Sequence, residues 1–89
     1  MYHVIIRHTV KDYRKWRPVF DTHEEQRRSA GLSKPRVMRN LDDPEDIIVE
    51  LEASQPRLAL EFLHSESLRQ AMAQAGVISQ PEFYVLEEV

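Results

Sequence analysis

Three of the four histidines in this chain, His8, His23 and His64, are of a type that moves protons near neutral pH. An imidazole placed beside an enolisable carbon can take a proton from it. A flat aromatic wall would orient such a substrate, and Trp16, the only tryptophan, and Tyr84 are the candidates. A guanidinium would steady the developing enolate, and Arg27 and Arg39 are placed to supply one. The expected roles are therefore His8 and His23 as catalytic groups, with Trp16, Arg27, Arg39, His64 and Tyr84 binding substrate.

Other chemistries are poorly served. There is no cysteine, which excludes disulfides, thiolate metal sites and cysteine nucleophiles. His3 and His8 lie five apart on an expected strand and so point to opposite faces. No two histidines sit four apart on a helix, so no metal site is expected. There is no glycine-rich phosphate loop and no GxSxG, and no cofactor is expected. The formal charge is −3, which offers no broad field for nucleic acid or an anionic membrane. No apolar run approaches the ~20 residues of a membrane span. The opening run reads as a strand rather than a signal peptide, and a cytoplasmic location is expected.

The positioning elements follow from periodicity. Tyr13, Trp16, Phe20, His23 and Arg27 recur at spacings of three, four, three and four, one face of a helix. Asp12 should cap that helix and Gly31 should end it. Pro18 lies inside the pattern and predicts a kink or a short opening turn before it. Tyr2 to Val10 reads as the first strand, with Val4, Ile6, His8 and Val10 facing the helices. Lys34 to Leu41 and Asp46 to Ala53 read as a hairpin turned at Asp42-Asp43-Pro44. Ser54 should cap a second helical region and Ser65 recap it, with Leu68, Ala71, Met72 and Ala75 as its buried stripe up to Gly76. Glu82 to Val89 closes the series as a last strand.

The order is β-α-β-β-α-β over a single domain, residues 1–89. It is the ferredoxin-like plan: a four-stranded antiparallel sheet with helices on one face. The other face would carry Ile5, Ile48 and Met38 among Arg7, Glu50 and Glu52. An exposed sheet face of that kind predicts a sheet-to-sheet homodimer. A strand three without aromatics argues against base stacking and RNA.

The runs Asp12-Tyr13-x-x-Trp16-x-Pro18-x-Phe20-Asp21, Arg28-x-x-Gly31 and Asp42-Asp43-Pro44 resemble the dimeric α+β barrel superfamily. So does the run His64-Ser65-x-x-Leu68-Arg69-x-Ala71-Met72-x-x-Ala75-Gly76-Val77. That superfamily includes antibiotic biosynthesis monooxygenases and polyketide cyclase-like proteins. The resemblance implies a homodimer with a pocket between sheet and helices in each subunit. It also implies cofactor-free action on an aromatic or polyketide-like molecule. Many monooxygenase-like members carry a Trp near the end of strand three, where this chain has Glu50-Leu51-Glu52. The alternative is a non-catalytic ligand-binding or assembly protein in which the same positions pack.

Overall fold

The computed structural model describes residues 1–89. The chain runs β1 (Tyr2–Thr9), α1 (Tyr13–Thr22), α2 (Glu24–Ser29), β2 (Leu32–Asn40), β3 (Asp43–Ala53), α3 (Pro56–Leu63), α4 (Glu66–Ala75) and β4 (Glu82–Glu87). The strands form one antiparallel sheet in the order β2-β3-β1-β4. Alternation along each strand sends every second side chain to the helices. Val4, Ile6 and His8 of β1 lie opposite Leu51, Val49 and Ile47 of β3, and Val85 and Phe83 of β4 pair with Val4 and Ile6. These residues meet Trp16, Phe62, Leu63, Leu68 and Ala75 from the helices in one core. The ferredoxin-like plan read from the sequence is present, with each helical leg divided in two.

The division of the first leg falls at His23, not at Pro18. Pro18 stays inside α1, one turn in, where its missing N–H removes a single bond to Arg14. Four residues on, the Thr22 hydroxyl donates to the Pro18 carbonyl at 2.8 Å. The His23 N–H is shared between the carbonyls of Val19 and Phe20, both at 3.2 Å. That tightened turn ends α1, and α2 restarts at Glu24.

Other boundaries also moved. β2 opens at Leu32, two residues earlier than Lys34, with Lys34 at φ 51° in an irregularity between Ser33 and Arg36. Asp43 and Pro44 belong to β3, so the hairpin turns at Leu41 and Asp42. Val10 makes an isolated bridge to Val77 beyond β1. Gln55 rather than Ser54 is the N-cap of α3, while Ser65 caps α4 by accepting from the Leu68 N–H. β4 ends at Glu87.

The two glycines both follow helices and both take positive φ, 76° at Gly31 and 81° at Gly76. Each carbonyl then accepts an N–H from the residue where a strand turns into a helix elsewhere in the chain. Ser54 donates to Gly31 and Lys11 donates to Gly76, each at 2.9 Å. At Gly31 the approach is close, and a Cβ there would collide with the Ser54 hydroxyl oxygen.

Candidate functional site

A cavity of about 40 Å³ lies between α1, α4 and the sheet. It has room for about two or three water molecules. Ten of its thirteen lining residues are hydrophobic, including Ile6, Val49, Phe62 and Met72. The other three are His8, His23 and Arg27, which the sequence had already singled out.

His8 reaches the cavity from β1. It is 5% exposed, and neither ring nitrogen has a protein hydrogen-bond partner. Its ring meets Trp16 edge-on, centroids 5.8 Å apart. Burial among apolar groups pushes its pKa down to about 4, against a smaller upward pull from Asp46. The imidazole is therefore neutral at pH 7, one nitrogen a donor and the other an acceptor.

His23 sits at the junction of α1 and α2. Its Nε2 lies 3.0 Å from the Ser67 hydroxyl in the first turn of α4, and its ring lies 5.7 Å from that of Phe62. Burial, and then the Arg27 charge, lower its pKa. Ser67 was not foreseen from the sequence, because a serine in a helix's first turn carries no signal beyond helix entry.

Arg27 is brought back toward α1 by the break at His23. Its Nη1 donates to the Phe20 carbonyl at 2.6 Å, and its guanidinium carbon stands 3.7 Å from the centre of the Phe20 ring. That ring is one rung of a ladder along α1. Phe20 stacks on Trp16 at 4.9 Å, and Trp16 on Tyr13 at 5.8 Å. Arg39 of β2 lies over Tyr13 at 5.5 Å. Each aromatic pair adds about 0.5–1.5 kcal/mol beyond burial. The period of three and four that marked this face is therefore a stack with a guanidinium at either end.

Arg39 thus stands at the outer end of the ladder, away from the cavity lining. His64 does not line the cavity either. It is the exposed C-cap of α3, facing a separate groove beside Arg69 and Phe83. Tyr84 lies opposite Ile5, on the face of the sheet turned away from the helices, and its hydroxyl donates to Glu82 at 2.8 Å. The cavity therefore gathers His8, Trp16, His23 and Arg27 but not Arg39, His64 or Tyr84.

The open face is ordered by pairs across strands. Arg7 donates through Nε and Nη2 to both carboxylate oxygens of Asp46, at 3.1 and 2.8 Å, and Asn40 donates to the same carboxylate at 3.2 Å. This bonding holds the Asp46 carboxyl below the ordinary carboxylate range. Arg36 faces Glu50 and Lys34 faces Glu52, each at 3.6 Å. Ile5 and Ile48 are half-buried between them, and Met38, Tyr84 and Leu86 are exposed.

No protein-family model and no curated protein matches the sequence. Solved structures do match. A conserved protein from Methanosarcina mazei Go1 superposes with a TM-score of 0.75 at 13% identity, covering 99% of this chain and 92% of that one. A structure described as an antibiotic biosynthesis monooxygenase gives 0.72 at 14% identity over 100% and 99%. SnoaB, a cofactor-independent oxygenase from Streptomyces nogalater, gives 0.76 at 12% identity over 99% and 92%. No helix of this chain is long and apolar enough to cross a membrane. The chain has the ferredoxin-like α+β fold of the antibiotic biosynthesis monooxygenase structures.

Proposed function

We propose that this protein takes a small aromatic or polyketide-like molecule between α1, α4 and the sheet and moves a proton on it without a cofactor. The observation that carries this is His8, a buried imidazole with both nitrogens unpartnered, facing an apolar cavity. Holding both ring nitrogens in the core without a protein partner costs stability that an aliphatic side chain would not. His8 acts as the base, taking a proton from a carbon whose anion is delocalised onto a carbonyl. The enolate forming beside it raises the imidazole's affinity for that proton, offsetting the depression that burial imposes. Trp16 is the wall, and His23 is a second proton carrier at the rim. Admitting a ring requires the α4 side to give, and there Met72 is flexible and the His23–Ser67 hydrogen bond is the tie to be released.

Anthrone is a suitable probe, because the anion of its CH₂ is conjugated to the ketone through the two flanking aromatic rings. Saturable quenching of Trp16 fluorescence by anthrone is expected. So is faster exchange of its CH₂ protons with D₂O, falling about a hundredfold or more in His8→Phe. Exchange unchanged in that variant, with binding intact, would remove His8 from the chemistry. Binding that saturates with no exchange in the wild type favours the non-catalytic alternative.

We also propose that two copies join through the open sheet face. Ile5, Ile48, Met38, Tyr84 and Leu86 supply an apolar surface there, while the charged residues beside them are already paired within the chain. Light scattering at micromolar concentration should give about twice 10.5 kDa. A single species at 10.5 kDa would refute the dimer.

A further inference from the structure

We infer that the molecule held in this cavity carries a permanent negative charge, a carboxylate, set against Arg27. The inference rests on the proposal that the cavity is a binding site, and it specifies the ligand's class. Arg27 is 6% exposed. None of the chain's ion pairs includes it. Its one hydrogen bond goes to the Phe20 carbonyl, and its other support is the face of the Phe20 ring. A guanidinium has five N–H donors, and those of Arg27 that make no hydrogen bond within the chain keep only a narrow contact with solvent, so its charge is poorly compensated. The acids whose fields reach it are Asp21 and Glu24. Asp21 is engaged by Arg17 at 3.0 Å, and Glu24 is exposed to solvent.

The rest of the lining agrees with an anion. His8 and His23 are both held neutral by burial, so each can donate an N–H without adding charge. No acidic residue lines the cavity. A transient enolate would be balanced only during the reaction, whereas Arg27 is buried throughout. A resident carboxylate compensates it in the bound ground state, through a charge-assisted pair in a site of low polarity. The class indicated is a small aromatic or enolisable acid, with its carboxylate at the Arg27 end and its reacting carbon toward His8.

The test uses matched probes at constant ionic strength: acetate against acetamide, and benzoate against benzyl alcohol. Binding is read from Trp16 fluorescence and from the shift in melting temperature. The carboxylates should bind at least about tenfold more tightly than their neutral partners. Arg27→Met should remove that preference while remaining folded, since it replaces an uncompensated charge with an apolar chain of similar length. Arg27→Lys should keep part of it. If the neutral members bind as well as the anions, or if Arg27→Met keeps the preference, the inference fails and the cavity remains a site for neutral molecules. If no probe of either kind binds, the binding-site proposal fails with it.

Discussion

Lowering the pH from 7 to 4 should remove about 3 kcal/mol of stability through His8 alone. Its pKa is about 4 in the folded protein against an ordinary 6.5. Over that interval the unfolded chain binds a proton that the folded chain refuses, so stability rises with pH through the window and is fully present above 6.5. His23, lowered in the same direction, adds to the slope. Asp46 acts below this window, because its pKa is depressed from 3.8 and its contribution is lost only as the carboxylate protonates. His8→Leu should therefore be more stable than the wild type at pH 7 by about 1–2 kcal/mol, because an unpartnered buried imidazole is exchanged for an aliphatic group. It should also lose most of the acid sensitivity between pH 7 and 5, leaving the part due to His23. Urea unfolding followed by circular dichroism at pH 7, 5 and 4 measures both effects. A His8→Leu protein less stable than the wild type at pH 7 would mean that the imidazole is better satisfied than its surroundings indicate.

Trp16→Ala should cost about 3–5 kcal/mol. The indole is 3% exposed and is the middle rung between Tyr13 and Phe20, as well as the surface against which His8 rests. A chain of 89 residues has on the order of 4–9 kcal/mol in all, so the variant should be largely unfolded at 37 °C. Trp16→Phe keeps a ring in the ladder and should cost less than half as much. Far-ultraviolet circular dichroism in urea separates the two, since the fluorophore is lost in both. If Trp16→Ala stayed within about 1 kcal/mol of the wild type, the stack would be peripheral to the core and the cavity would lack its fixed wall.

The elements were largely legible in the sequence because binary pattern and helix stops agreed. The spacing from Tyr13 to Arg27 identified the face that now forms the ladder, and the stripe Leu68, Ala71, Met72 and Ala75 is the α4 side of the cavity. The break at His23 was not legible. It shows in the His23 N–H shared between the Val19 and Phe20 carbonyls beside the Thr22–Pro18 bond, which residue types alone do not announce, whereas proline marks a different position. Tyr84 was misplaced for a reason of parity. In Glu82-Phe83-Tyr84-Val85-Leu86 four consecutive residues are apolar or aromatic, so alternation does not say which two face inward. Pairing with β1 decides it, and Phe83 and Val85 take the helix side. His64 needed the end of α3 to be known to the residue, and Arg39 needed the distance from β2 to Tyr13. Tyr84 and Arg39 depend on strand pairing, and His64 and the break at His23 on where a helix ends, and sequence pattern resolves neither to the residue.

The carbonyls of Gly31 and Gly76 tie the chain in a reciprocal way. The first half, β1 to β2, ends its helical leg at a glycine that grips the exit from β3. The second half ends its helical leg at a glycine that grips the exit from β1. Each half thus holds the strand exit of the other. A side chain larger than hydrogen at position 31 would push on the entrance to α3, so damage in either half is carried into the other.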